Sequence, residues 1–210
     1  MTTPTERPLV VFGAGGHGKV VADILLALGE RVAGFLDDGK PSGSIVLGLP
    51  VLGSRLWLDT NLARVALGVG DNATRAKVAD ACVASGSELV SAVHPRAVVA
   101  PSVRVEAGAV IMALAVANAD AVIGRGAIVN TAAVVEHDCI VGRFAHVSPG
   151  AVMGGGCRID AFAQLGIGAA MLPGTSIGES SVVGGGALVA KDIPRSIVAI
   201  GVPARTLRPT

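Results

Sequence analysis

The chain has four histidines, at positions 17, 94, 137 and 146, and one of them stands where proton transfer is expected. His137 lies between two carboxylates, in the run Val135-Glu136-His137-Asp138-Cys139. Asp138 can hold one ring nitrogen, fixing the tautomer and favouring imidazolium once it forms. A base poised near neutrality suits removal of a proton from an attacking amine or hydroxyl. His146 follows nine residues later. No Ser or Cys stands beside His137 as an acyl-enzyme nucleophile would, because Cys139 falls on an inward position. A second stretch, Gly13-Ala14-Gly15-Gly16-His17-Gly18, has the spacing G-x-G-x-x-G, and Asp37-Asp38 begins nineteen residues after Gly18. Glycines let backbone approach a phosphate, and a helix start offers free N–H donors. Carboxylates at the following strand end can accept from a ribose or base, and His17 can donate to a phosphate or sugar. His94, just before Pro95, reads as a linker residue.

The element that must position His137 is a six-residue lattice. Every sixth residue from Val93 to Val189 is apolar, through Val135, Val141 and Val147, and the frame never slips. Four places on in each hexad the residue is small, as at Ala127, Ala133, Cys139, Ala145 and Ala151, with Val103 the largest. The hexapeptide parallel β-helix has this period. With an eighteen-residue coil, residue 155 stacks on residue 137 at roughly 4.8 Å, the strand spacing. That residue is Gly155, inside Gly154-Gly155-Gly156. Glycine there leaves room beside the base and exposes a backbone N–H. A corner glycine chosen for backbone shape explains the same residue.

The element that must position the glycine loop is a small α/β domain. Leu9–Phe12 reads as a buried strand. Lys19–Leu28 reads as a helix with Val20, Val21, Ile24, Leu25 and Leu28 on one face, stopped by Gly29. Arg31–Leu36 is a second strand. Residues 41–48 form a loop, Val51-Leu52-Gly53 a short link and residues 56–62 a helix. Arg64–Val69 is a third strand, running into Gly70-Asp71-Asn72. Ala73–Ser85 is a helix with Val78, Ala79, Cys82 and Val83 inward, and Glu88–Val93 is a last strand. The expected division is 1–92 as a nucleotide-binding α/β domain, 93–192 as the β-helix and 193–210 as a C-terminal cap. The lattice is expected to end after Val189, broken by Lys191-Asp192-Ile193-Pro194. Some ninety residues are too few for two mononucleotide halves, so one nucleotide-bearing ligand fits better than a dinucleotide.

Composition narrows the class. Half of the 210 residues are apolar, yet there is no Tyr and one Trp, which suits thin, regular layers of Val, Ala, Ile and Leu. A net charge of +1 without a basic patch argues against nucleic acid as partner. No apolar run is long enough to span a bilayer, and Met1–Pro8 has no signal-peptide pattern, so no membrane partner is expected. Three cysteines without close pairs suit a reducing, cytoplasmic location, with Cys139 and Cys157 as core thiols on equivalent hexad positions.

The hexads resemble those of the left-handed parallel β-helix acyltransferases. The whole chain resembles, more closely, the bacterial sugar O-acetyltransferases related to sialic acid O-acetyltransferase and the nucleotide-aminosugar N-acetyltransferases of the same design. The matching pieces are Gly13–Gly18, Phe35-Leu36-Asp37-Asp38, Gly68-Val69-Gly70-Asp71-Asn72, Asn130-Thr131, Val135–Cys139, His146-Val147-Ser148 and Gly201-Val202-Pro203-Ala204. The resemblance implies a Rossmann-like N-terminal domain, a left-handed β-helix and a homotrimer. It implies acetyl-CoA in the groove between neighbouring β-helices and a nucleotide-linked sugar on the α/β domain, with no metal. His137 and Asp138 are then the catalytic pair. Gly13, Gly15, His17, Gly18, Asp37, Asp38, Gly70, Asn72 and Asn130 would bind substrate, and His146, Gly155, Ile167 and Gly185 acetyl-CoA. The expected reaction is direct attack of an amine, at C4 of the sugar, on the thioester, which would lie in the room left at Gly155 with the Gly155 N–H on the oxyanion of the tetrahedral intermediate. O-acetylation of a sialic-acid-type sugar would use the same features. Zinc chemistry on the coil would need three converging histidines, where only His137 and His146 lie well within the lattice. A nicotinamide enzyme would leave the β-helix without a role, and a non-catalytic assembly module would not bind acetyl-CoA.

Overall fold

The structure is a computed structural model and describes residues 7–210. The chain forms two compact units, one ending at Ala92 and one spanning Val93–Thr210. Among the described residues no helix is long and apolar enough to cross a membrane.

The first unit holds β1 (Leu9–Phe12), α1 (Gly16–Ala27), β2 (Val32–Leu36), β3 (Ile45–Val46), β4 (Leu49–Gly53), β5 (Arg64–Leu67), α2 (Asn72–Ala84) and β6 (Glu88–Leu89). They build one sheet in the order β3-β4-β2-β1-β5-β6, parallel except for the β3/β4 hairpin. β1 is buried along its whole length, as expected of a central parallel strand covered on both faces. Leu28 caps α1, and Gly29 takes the left-handed turn, φ +78°, that closes many helices. α2 starts where the Asp71 carboxylate accepts from Thr74 N at 2.8 Å.

Several local expectations change. α1 begins at Gly16, three residues earlier than the apolar pattern suggests, so His17 and Gly18 lie in its first turn. Val20 and Leu28 are exposed, and Ala22 and Gly18 take their places on the buried face. Val83 of α2 is exposed too, and Arg75 is fully buried instead. Val51-Leu52-Gly53 belongs to β4, and the preceding loop contains β3. Residues 56–62 do not form an α-helix; a single 3₁₀ stretch, Arg55–Asp59, is capped by Ser54. The strand expected over 88–93 is two short ones, Glu88–Leu89 and Ala92–Val93.

The second unit follows the lattice. Each hexad contributes a two-residue strand, and strands pair in parallel with those eighteen residues away, as Val134↔Val152 and Val135↔Met153. Three sheets result, the three sides of a parallel β-helix. The sixth-residue apolar positions from Ile111 to Val189 and the small positions from Ala109 to Ala187, apart from the polar Thr175 and Ser181, form one buried core. Small residues are needed because each corner brings backbone from successive coils together. A third column is less legible in the sequence. Three residues after each inward apolar residue, from Gly108 to Gly186, the backbone is left-handed, with φ from +54° to +74°. Glycine fills half of these places, while Asp120 and Asp138 are tolerated through local hydrogen bonding. Phe144 and Phe162 also stand here, stacked at 5.7 Å with Arg125 and Arg143 over their rings.

The six-residue frame ends after Val189, yet the chain keeps coiling. Ile193 bridges Ile177 and Ala199 pairs with Val183, each sixteen residues on, so the chain makes one further turn, two residues shorter. Strand Ile197–Ile200 then pairs antiparallel with Arg205–Pro209. The segment expected as a separate cap is thus part of this unit.

Candidate active site

His137 and Asp138 occupy the corner after Val134–Val135. Asp138 holds the left-handed position, φ +59°, which turns its carboxylate toward the preceding side chain. Its Oδ2 lies 2.8 Å from His137 Nδ1. A carboxylate only accepts, so Nδ1 carries the proton and Nε2 keeps its lone pair. The Asp138 hydrogen bond raises the His137 pKa above 6.5; desolvation opposes it, and the charges of Asp138 and then Glu136 reinforce it. The ring is largely exposed. Asp138, rather than Glu136, is therefore the ring's partner. Glu136 turns the other way: its Oε2 accepts from Asn118 Nδ2, one coil earlier, at 2.9 Å and from His137 N at 3.4 Å. Asn118 is absent from the sequence-derived set, although the eighteen-residue period places it next to Glu136.

Gly155 stacks on His137, with Gly156 N donating to His137 O at 2.9 Å. The space at Gly155 is not left for a thioester, as expected from the sequence. A Cβ there would lie 2.5 Å from His137 Nε2 and 2.6 Å from Cε1, so the imidazole edge already fills it. The glycine seats the base.

His146 and Asn130, assigned to different ligands from the sequence, meet. Thr131 N donates to Asn130 Oδ1 at 2.8 Å, which leaves Nδ2 to donate to His146 Nε2 at 3.0 Å. His146 therefore carries its proton on Nδ1. It sits on the strand His146–Val147, half a coil beyond the His137 corner. Ile167 is exposed on another corner, and a Cβ at Gly185 would lie 3.1 Å from Ile167 O, so these two share one edge.

In the first unit the glycine loop is packed as tightly as its motif implies, though for internal reasons. Gly13 has φ +106°, and a Cβ there would meet Gly68 O at 2.6 Å. A Cβ on Gly18 would overlap Gly13 O. Gly15 has open space instead and leads into the N-terminus of α1, the approach an anion needs. Asp37 does not present a free carboxylate. It accepts from Ala14 N at 2.7 Å, Gly39 N at 2.9 Å and Lys40 N at 3.0 Å. Partial burial would raise its pKa, but these N–H groups and Lys40 lower it overall. Asp37 thus ties the glycine loop to the end of β2. Asp38 accepts from Arg55 N at 2.9 Å and, with Phe12, Arg55, Thr74 and Lys77, lines a cavity of about 120 Å³ beyond the carboxyl end of β1. Ligands of open parallel sheets bind at such strand ends.

Gly70 and Asn72 serve Arg75, a residue that polarity alone would have placed outside. Its guanidinium donates to Gly70 O at 2.8 Å, Val69 O at 3.2 Å and Asn72 Oδ1 at 2.8 Å. Burial lowers its pKa to about 10, against the pull of Asp71. His17 Nε2 is buried and has no hydrogen-bond partner among the described residues. Burial, helped by Arg75, lowers its pKa to about 4, so the ring is neutral at pH 7. Among the described residues no group of three or more His, Cys, Asp or Glu side chains converges as metal ligands do.

Residues 8–82 match the family model of the PglD N-terminal domain. A UDP-N-acetylbacillosamine N-acetyltransferase from Bacillus subtilis (strain 168) is 34% identical over 120 residues, 51% of this chain; the match spans 52% of that relative's length. The perosamine N-acetyltransferase of Caulobacter crescentus, solved with CoA and GDP-perosamine as a variant with one histidine changed to asparagine, is 43% identical. It superimposes with a TM-score of 0.92 over 95% of this chain and 96% of its own. The acetyltransferase domain of PglB from Neisseria gonorrhoeae, solved with acetyl coenzyme A, is 40% identical with a TM-score of 0.90, covering 96% of this chain and 99% of that one. With its glycine loop, its eighteen-residue coils and its His137–Asp138 corner, the chain belongs to the family of PglD-type nucleotide-aminosugar N-acetyltransferases.

Proposed function

We propose that this protein is an acetyl-CoA-dependent N-acetyltransferase that acts on the C4 amino group of a nucleotide-linked sugar. The observation that carries the reading is the exposed His137 imidazole, held at Nδ1 by Asp138 and seated over Gly155, which leaves Nε2 as the proton acceptor of the neutral ring. The amine attacks the thioester carbonyl while Nε2 takes its proton. The Gly155 N–H, which has no protein acceptor among the described residues, donates to the oxyanion. The tetrahedral intermediate collapses, and the CoA sulfur leaves with the proton returned by the imidazolium. No step uses a metal. His146, with its proton on Nδ1, would stand beside the acetyl group, and Ile167 and Gly185 along the CoA chain.

The glycine loop, His17 and the cavity at Asp38 suit the nucleotide handle. Gly70, Asn72 and Asp37 contribute by shaping that loop region. A homotrimer is supported by one side of the β-helix, where the outward residues Val98, Val116, Val134, Val152, Ala170 and Leu188 are all apolar. Water-facing strands do not normally present such a column. Light scattering that returned a monomer would overturn it. Three free thiols and acetyl-CoA as donor suit the cytoplasm.

The test is a panel of UDP-, GDP- and dTDP-linked 4-amino sugars, plus free sialic acid, each mixed with acetyl-CoA and followed by thiol release. Turnover of an amino sugar supports the proposal, and turnover of sialic acid alone replaces it with O-acetylation. His137→Asn is expected to lower kcat by about 10²- to 10⁴-fold, the span of general-base contributions. Near-normal turnover of this variant would remove the base assignment while leaving the acetyltransferase reading intact.

A further inference from the structure

The corner carries a second carboxylate that has no part in the transfer of the amine proton to Nε2. Glu136 does not reach the imidazole ring, because Asp138 holds Nδ1 and Nε2 lies over Gly155. One of its oxygens, Oε2, is fixed by Asn118 Nδ2 at 2.9 Å and by the His137 backbone N at 3.4 Å. Its other oxygen, Oε1, has no partner among the described residues. Asn118 and Glu136 occupy the same place on successive coils and are both partly buried, so the amide can hold the carboxylate without a bridging water. A partly buried carboxylate with one oxygen pinned and one free is an acceptor set up for a cation.

The proposed acceptor is an amine that travels in water largely as ammonium, and it must lose a proton before it can attack. We propose that Asn118 is a positioning residue, clamping Glu136 so that its free oxygen holds the acceptor ammonium beside His137. The proposal rests on the N-acetyltransferase reading. With the ammonium held at Glu136, the exposed Nε2 takes one of its protons and releases it to solvent; the freed amine then attacks, and Nε2 takes the proton that the new N–C bond displaces. A neutral amide is the clamp that preserves the carboxylate's charge, since a lysine at position 118 would neutralise Glu136 and an aspartate would repel it.

The test is steady-state kinetics of Asn118→Ala with the amino sugar that turns over in the panel. Its counterpart with a hydroxyl in place of the amine serves as competitive inhibitor. KM for the amino sugar is expected to rise about tenfold, on the scale of one charge-assisted hydrogen bond. The kcat and the KM for acetyl-CoA should stay within about twofold, and the inhibition constant of the hydroxyl compound should not change. The KM ratio of variant to parent should fall toward one as pH rises through the pKa of the amine. Equal weakening of the hydroxyl compound, a pH-independent ratio or an unchanged KM would each overturn the proposal. If the alanine variant does not fold, Asn118→Ser provides the same comparison with a shorter donor. Failure of the unaltered enzyme to release thiol with any amino sugar would instead refute the parent reading, and this proposal with it.

Discussion

Replacing Gly155 with alanine should inactivate the enzyme without unfolding it. The backbone at Gly155 is not left-handed, so alanine introduces no φ strain. The difficulty is the imidazole: the new Cβ would stand 2.5 Å from Nε2 and 2.6 Å from Cε1, against an ordinary separation of about 3.5 Å. The ring must move by about an ångström, and it can, because it is largely exposed. That movement breaks the 2.8 Å bond to Asp138 and displaces the base. A misplacement of about 1 Å can lower kcat/KM by about 100-fold. The melting free energy should change by no more than about 0.5 kcal/mol, as for a surface substitution. Thiol-release kinetics and thermal melts of the parent and Gly155→Ala proteins measure the two effects. An NMR titration should show the His137 pKa falling back toward 6.5 as the Asp138 bond is lost. Full activity in Gly155→Ala would refute the seating argument. So would a loss of activity accompanied by an equal loss of stability.

Other substitutions separate the remaining contributions. Asp138→Asn removes the group that raises the His137 pKa, so the acid limb of the kcat/KM profile, where the base becomes protonated, should move to lower pH. An NMR titration should find His17 neutral down to about pH 4. Its folded pKa lies below the unfolded 6.5, so the unfolded chain gains its proton first; stability is undiminished above pH 6.5 and falls by about 3 kcal/mol as pH drops through 4. Urea titrations of the parent against His17→Gln between pH 7 and 4 measure that difference. Gly18→Ala would drive a methyl into Gly13 O and should destabilise the first unit by about 1–3 kcal/mol, weakening nucleotide-sugar binding while the β-helix stays folded. Arg75→Leu strands the carbonyls of Val69 and Gly70 and should lower stability by about 3 kcal/mol, seen by denaturant titration.

The β-helix was legible because its physics is periodic. One coil's requirement for an inward apolar residue and a small corner residue is repeated every hexad, and eighteen residues return the chain to the same edge. His137 over Gly155 follows from that arithmetic, as does Asn118 beneath Glu136, had the same count been run in the other direction. What filled the space at Gly155 was not legible, since spacing says which residues are neighbours and nothing of side-chain rotation. The left-handed corner column was obscured because Asp, Ala, Leu, Phe and Ser share it with glycine. The short last turn was hidden because Ile193 and Ala199 return after sixteen residues and leave the frame. In the first unit the glycine spacing located the loop correctly. The sequence could not show that Asp37 spends its carboxylate on Ala14, Gly39 and Lys40, or that Arg75 is buried, because both depend on contacts that no periodicity encodes.

In the proposed mechanism, the glycine beneath the imidazole also determines which coil carries the base. One turn before the working corner the chain reads Ala119-Asp120, and Asp120 already has the left-handed backbone that Asp138 uses, φ +61°. A histidine at position 119 would find its aspartate waiting. Its ring would then point at position 137, where a side chain stands instead of a hydrogen. The helix repeats its corners without distinction, and the vacant Cβ of one glycine gives the reaction its address along the axis.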